Sequence, residues 1–592
     1  MTSCIVDFPE LAPIQETPID NIEHTIVELY LNLCRKRDTK SINIVFDKMD
    51  SLLGCISSDC DPDSKELHIK MLYKMIAHTR DISYGKGEKD ITYMLICVWY
   101  KHFPVSAIFA LRSLVISEND EHHSPYGSWC DIKYFCRYVK YHSLLSKKQD
   151  KELIDSAIGI MNHQLNNDRI RWNKVLGQYF EEVINNPATL TERPIGRDYM
   201  SFAAKWSPRE NSKFGWLYEL IVIQWTQMFT PHLLNVSEDK REKSVKNFKK
   251  NYRKMISALN KELDTVQIKQ CNNKWSDINP ENVSIGTIIK QKNAFSKTLT
   301  DDRLECKTNF NDYYDEVKEF GDYEHQNKKS LLPISTIVSG VMALLLQQET
   351  TNANSTYIDK QISWYNHIWN KNLKSKKGLR SSIPIIDISW DMDIDSRNSA
   401  IGLGILIAQR SNLHRFIVYE NTAHWVIINE DDTFCDILKK VYELSKHPTN
   451  SNIDTAFSML LEAIVFTKYK STCNDINKDT VYVFDTDDTI DARSDMIFFI
   501  FNGGKQVNQK LKRFFSTSFF VYWNIQRDNY LQIKNVDLSP NNFYLCGNSI
   551  SSIDDIDKFD VSYLRKTTMY KFISNVLSNT RYDYIGKHLN TN

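Results

Sequence analysis

Asp387, Ser389 and Asp391 stand two residues apart in S-I-P-I-I-D-I-S-W-D-M-D-I-D-S-R, residues 382–397. Oxygen donors grouped this closely suit a hard cation. They read equally as solvated acids at the end of a strand. A second grouping is basic. Lys243, Lys246, Lys250 and Lys254 fall on one face of a helix, with Lys240, Arg241, Lys249 and Arg253 beside them and Glu242 opposing. Such a stripe tracks a phosphate backbone with salt-dependent affinity, or it is simply the solvated face of a helix. Trp129, Trp206 and Trp216 lie beside basic residues, as stacking platforms for unpaired bases do and as buried core tryptophans also do. Gly85-Lys86-Gly87 is similar to a phosphate-cradling turn. It lacks the spacing and the preceding strand of a nucleotide loop, so no nucleotide site is expected.

The elements that must position these groups follow from periodicity. Residues 383–388 form a short β-branched run followed at once by a helix-period segment, which predicts a buried parallel strand, a loop at its carboxyl end and a crossover helix. Ligands of open α/β sheets bind just beyond such strand ends. Further strands are expected at 415–420, 424–428, 480–485 and 519–525, with helices at 400–409, 434–444, 455–466 and 507–514. This alternation implies a doubly wound, mostly parallel sheet over residues 357–592. Residues 21–350 are helical by pattern: Ile26, Leu29, Tyr30 and Leu33 share one face, and Leu67, Met71, Leu72, Met75 and Ile76 another. Successive helices with short connections predict a helical-repeat, HEAT-like array. Val245, Phe248, Tyr252, Met255 and Leu259 form the core face of the basic helix. Residues 1–20 are expected to be a flexible arm, and residues 304–330 and 347–355 surface loops.

Composition sets the outer bounds. A chain of 592 residues exceeds what one core usually supports, so the reading is multidomain. Lys plus Arg equals Asp plus Glu at 74 each, so a nucleic-acid surface has to be a local patch. The twelve cysteines lack C-x-x-C pairs, which points to reduced thiols in a cytoplasmic setting. The amino terminus has no signal-peptide pattern, and residues 331–346 are too short and polar to span a bilayer, so no membrane segment is expected.

Four landmarks carry a resemblance: T-R-D-I-S-Y-G-K-G-E-K-D (79–90), Y-G-S-W-C-D-I-K-Y-F (126–135), A-A-K-W-S-P-R-E-N-S-K (203–213) and Y-R-K-M-I-S-A-L-N-K-E-L (252–263). In this order across residues 60–550 they resemble the domain-of-unknown-function family numbered 2828. That family pairs a helical half similar to the TROVE module of the Ro autoantigen with a von Willebrand factor A-like domain. The resemblance implies a ring or arc of helix pairs carrying structured or single-stranded RNA. Lys243, Lys246, Lys250, Arg253, Lys254, Arg80, Lys86, Lys205 and Arg209 are the matching RNA-contact candidates.

The Asp387-Ile-Ser389-Trp-Asp391-Met392 stretch similarly resembles the D-x-S-x-S-M signature of A-type domains. There it implies a magnesium-dependent adhesion site open to a protein partner's carboxylate. Asp391 stands in place of the second serine. Asp454 is the matching candidate where a threonine is expected, Ile453 occupying that place, and Asp485 is the candidate for the later acid. Without a cation these acids would repel one another if they converged.

No nucleophile, base and orienter constellation is visible, so no enzymatic activity is expected. The leading expectation is a non-enzymatic, Ro-like ribonucleoprotein scaffold. The alternative is a protein-interaction scaffold acting through the A-type domain without RNA.

Overall fold

The computed structural model describes residues 22–35, 38–59, 61–117, 124–185, 193–229, 231, 238–319, 332–350, 355–373, 379, 381–389, 392–446, 449–472, 496–501, 519–525, 542–559 and 561–589. Helices dominate up to residue 373, and a six-stranded mixed sheet with its own helices follows.

The first helices form because apolar positions recur at helical spacing and the ends are capped. In Pro62–Arg80, the Asp61 side chain accepts from the Ser64 N–H, and Pro62 opens the first turn where its missing N–H costs nothing. Ile26, Leu29, Tyr30, Leu33, Met71, Leu72, Met75 and Ile76 are buried as the periodicity predicts. Leu67 is not: it is 56% exposed, one turn outside the packed face. Ile22–Asn32 packs on Thr39–Asp59, that helix on Asp90–His102, and so on through Cys130–His142, Lys147–Asn185, Gly215–Phe229 and Glu238–Glu262. The basic helix buries Tyr252 and Leu259 as expected. Part of the segment read as a polar loop is helix Asp301–Glu319, because Cys306, Phe310 and Tyr314 lie at helical spacing and are buried. Helix Ile334–Thr350 likewise runs into the segment read as a second loop.

The strands are β1 (Ser382–Asp387), β2 (Arg415–Tyr419), β3 (Ala423–Ile427), β4 (Met496–Phe501), β5 (Phe519–Asn524) and β6 (Asn542–Cys546). Their order is β3-β2-β1-β4-β5-β6, with all pairs parallel except β2 with β3. Strands β1, β2, β3 and β5 and helix Phe434–Leu444 fall where the sequence predicts them. Strands β4 and β6 are additional, and the expected strand at 480–485 and helix at 507–514 lie outside the described residues. Strand order reverses at β1, which places its carboxyl end at the switch point of the sheet.

Crossover helix Ile394–Arg410 is capped by Asp393, which accepts from Ser396, and it lies against β1. Its outer face meets helix Ile334–Thr350 so closely that a Cβ on Gly402 would sit 2.7 Å from Ile334. The glycine there is a requirement of the contact. The helical region is thus packed directly on the sheet layer.

The other end of the chain returns to the start. Helix Met569–Leu577 packs against Ile22–Asn32 and Pro62–Arg80, and Asp583–Lys587 against Pro62–Arg80 and Pro104–Ser113. Arg581 Nη2 donates to Asp81 Oδ1 at 2.8 Å, Lys74 pairs with Asp583 at 2.7 Å, and Tyr126 Oη donates to the Arg581 carbonyl at 2.8 Å. The Ser549 and Ser551 hydroxyls both donate to the Gly85 carbonyl. The first and last described helices therefore share one seam.

Candidate functional site

Two regions answer to the sequence candidates. The first is the carboxyl end of β1. Asp387 is fully buried there and accepts from the Ser389 N–H at 3.0 Å and from the Ser451 hydroxyl at 3.1 Å. Ser389 is also fully buried, and its hydroxyl has no hydrogen-bond partner among the described residues. Burial, followed by the charge of Asp387, holds the Tyr419 phenol protonated well above its ordinary range. The loop bearing Ser451 is stitched to the end of β2: Thr449 N–H donates to the Glu420 carboxylate and Asn452 N–H to the Glu420 carbonyl.

The oxygen donors at this strand end are one carboxylate, the Ser451 hydroxyl bonded to it, and the buried Ser389 hydroxyl two residues on. This set fits a hard cation such as magnesium, which would take Asp387, Ser389 and Ser451 as ligands. The orphaned Ser389 oxygen is the observation that carries the fit. The sequence pattern points to Ile453 and not to Ser451, two positions before it. Asp454 is exposed on the first turn of Ile453–Thr472. Asp391 and Asp485 lie outside the described residues. Among the described residues, no group of three His, Cys, Asp or Glu side chains forms a metal cluster.

The second region is basic, and the sequence candidates divide sharply over it. Arg80 is 2% exposed, and its guanidinium forks onto Asp131 at 3.1 and 2.9 Å. Asp131 also accepts from Tyr93 and from the Ser128 N–H. Lys86 is 7% exposed and donates inward to the Tyr30 carbonyl. Both belong to the interior, not to a surface that could meet RNA.

Lys243, Lys246, Lys250, Arg253 and Lys254 are exposed on helix Glu238–Glu262. Their field is offset in part, since Arg253 pairs with Glu210 at 3.3 Å and Lys249 with both Glu210 and Glu219.

Lys205 and Arg209 fall in a different setting. The Lys133 ammonium, from helix Cys130–His142, lies 4.6 Å from the Trp206 ring and 5.4 Å from Phe214. Lys213 faces Phe214 and Tyr134, Lys89 faces Tyr134, and Lys205 faces Phe202 and Trp206. Burial first, and then the charges of Lys213, Arg209 and Lys89, draw the Lys133 pKa below its usual range. Burial does the same to Lys205. Among the described residues, none of Lys89, Lys133, Lys205, Arg209 and Lys213 forms an ion pair with a carboxylate. Like charges are thus held together over aromatic faces without a counter-charge, which raises the affinity of the patch for an anion.

Of the three tryptophans, Trp129 is core at 7% exposure, while Trp206 and Trp216 are half-buried, and Lys140 sits 4.0 Å over Trp216. The sequence reading missed Lys89, Lys133 and Lys213. A signal existed: Lys133, Arg137 and Lys140 recur at i, i+4 and i+7 along one helix.

A comparison with protein-family models finds none that matches the chain, and a comparison with curated proteins finds no match either. Among the described residues, no helix is long and apolar enough to cross a membrane.

Proposed function

We propose that this protein is a non-enzymatic RNA-binding scaffold, built as a TROVE-like helical array (residues 21–350) joined to a von Willebrand factor A-like domain (residues 357–592), in the manner of the Ro ribonucleoprotein. The observation that carries this reading is the patch of Lys89, Lys133, Lys205, Arg209 and Lys213 on Tyr134, Trp206 and Phe214, which has no ion pair to a carboxylate among the described residues. Cations there meet phosphates, and the half-buried Tyr134 and Trp206 rings offer faces for unpaired bases. The mixed, mostly parallel sheet beside a helical region agrees in outline with the architecture that the family resemblance implies.

The test is binding to a structured RNA with a single-stranded 3′ end, titrated over salt. The expected result is a logarithm of affinity that falls linearly with log salt, and a double variant Lys133→Glu, Lys213→Glu that binds at least tenfold more weakly at low salt. Absence of binding by the unmodified chain at low salt would sink the reading.

The unpartnered Ser389 hydroxyl favours a second reading, in which a magnesium ion on Asp387, Ser389 and Ser451 recruits the carboxylate of a protein partner. A magnesium-dependent rise in Tm, lost in Asp387→Ala, is its expected signature. An equal Tm with magnesium and with chelator would dismiss it.

A further inference from the structure

Gly85-Lys86-Gly87 joins helices Pro62–Arg80 and Asp90–His102, and its glycines are dictated by a tight inward turn. A Cβ on Gly85 would lie 2.0 Å from the His78 carbonyl, and Gly87 has φ +72°. The turn carries Lys86 into the seam, where its ammonium sits 3.9 Å from the Tyr30 ring centroid and donates to the Tyr30 carbonyl. Its nitrogen is also 3.2 Å from the Cys546 sulfur. Cys546 ends β6, is 3% exposed, and points its thiol at the same Tyr30 carbonyl at 3.5 Å. Among the described residues no carboxylate forms an ion pair with Lys86. A thiol and a primary amine are therefore fixed against each other, from positions 460 residues apart.

From this geometry we infer that Lys86 and Cys546 form an oxidative modification site, at which a small peroxide joins the two side chains through a sulfur–nitrogen bond. The inference is independent of RNA binding.

The chemistry balances in two steps. The Cys546 sulfur attacks hydrogen peroxide and the O–O bond breaks. One oxygen becomes the sulfenic acid, and the other leaves as water. The Lys86 amine, in its neutral form, then attacks that sulfur. The S–N bond forms, the S–O bond breaks, and the departing hydroxide takes the amine proton as a second water. In sum, a thiol, an amine and one peroxide give a sulfenamide and two waters, with sulfur oxidised by two electrons and peroxide reduced by two. A sulfenic acid ordinarily condenses with whichever nucleophile is closest, and fixed contact gives the amine a high effective concentration.

Among the described residues, Cys97, Cys136 and Cys435 have no lysine amine at the sulfur. All three are buried, and burial pushes their thiols well up. Cys130 has Lys89 at 3.6 Å, but that lysine is exposed and the sulfur already contacts the Ser128 hydroxyl at 3.0 Å.

The experiment treats the full chain with dilute hydrogen peroxide, blocks free thiols by alkylation, digests and reads masses. The expected product is a pair of peptides joining Lys86 to Cys546, two hydrogens lighter than their sum and separated again by dithiothreitol. The oxidised chain should also migrate faster in denaturing gels without reductant. In Lys86→Arg, which keeps the cation and removes the primary amine, the joined pair should vanish and Cys546 should proceed to sulfinic acid. Recovery of Cys546 from the unmodified chain as alkylated thiol, or as sulfinic acid beside an unmodified Lys86, would overturn the proposal.

Discussion

The seam and the basic patch are both rich in Lys and Arg, yet they are opposite in design. In the seam and the neighbouring core, Arg80 has Asp131, Arg581 has Asp81 and Lys74 has Asp583. In the patch, Lys89, Lys133, Lys205, Arg209 and Lys213 have aromatic faces and one another. The first arrangement holds the fold together, and the one seam cation without a carboxylate among the described residues, Lys86, is buried against Tyr30 and not presented at the surface. The second stores unbalanced charge at the surface, which only a ligand can relieve. Charge that is neutralised within the chain is structural, and charge left open is a candidate for function.

Removing one partner from the neutralised set should have the largest effect. Asp131 is fully buried and receives the Arg80 fork, the Tyr93 hydroxyl and the Ser128 N–H. Asp131→Ala leaves a buried guanidinium without its counter-charge, and such losses cost about 3–5 kcal/mol. Denaturant unfolding should show that loss. A change below ~1 kcal/mol would mean that the pair is not the anchor described.

Patch substitutions should reverse the pattern. The triple variant Lys205→Ala, Arg209→Ala, Lys213→Ala should keep its stability to within roughly 0.5 kcal/mol. Its RNA affinity should fall, and the slope of log affinity against log salt should shrink by about 0.7 for each phosphate contact removed. Lost affinity with an unchanged slope would point to misfolding of the patch instead.

The seam also carries two titrating groups with opposed signs. Burial, then Lys86 and Lys558, push His78 down to about 3, and it stacks on Tyr30 with neither ring nitrogen hydrogen-bonded among the described residues. The unfolded chain takes up that proton near its ordinary value and the folded chain does not, so stability is lost as pH falls below about 6.5. Burial pushes Asp555 up to about 6, against the opposing pull of Lys558. Its folded form holds the proton longer, so stability is lost as pH rises from about 4 to 6. Between these values the two slopes offset. In Asp555→Asn the His78 term stands alone, and stability should fall by up to about 1.4 kcal/mol per pH unit on acidification from 6 to 4. An acid limb identical to that of the unmodified chain would show that the two groups do not titrate as paired here.

The same comparison explains what could be read from the sequence. The strand ending at Asp387, its crossover helix and helix Phe434–Leu444 were legible because their patterns are local. Asp301–Glu319 was not, since its charged residues mask the buried stripe of Cys306, Phe310 and Tyr314. Strand β6 is only five residues long and begins with Asn542, a weak strand former. For the sites, Arg80 and Lys205 look alike in sequence, each a cation within a landmark stretch. What separates them is tertiary: Asp131 lies 51 positions from Arg80, and Arg581 lies 500 from Asp81. No window of sequence shows which cations will find a carboxylate across the fold. Ser451 was hidden for the same reason, since its hydroxyl reaches Asp387 from 64 positions away.

The smallest expected effect separates the patch from the stripe that the sequence advertised most loudly. Lys250 and Lys254 are exposed on helix Glu238–Glu262, whose neighbouring charges Lys249 and Arg253 already face Glu210 and Glu219. If the open charge of the patch is what engages RNA, the stripe contributes only through a field that Glu210 and Glu219 already offset in part, and salt screens what remains of it. Reversal of Lys250 and Lys254 to Glu should therefore weaken binding by less than about threefold at physiological salt and leave the salt slope nearly unchanged. At low salt the deficit should widen, as screening recedes. A loss matching that of Lys133→Glu, Lys213→Glu, with an equal drop in slope, would place phosphates on the stripe as well. The distinction between neutralised and open charge would then be one of degree along a continuous basic surface.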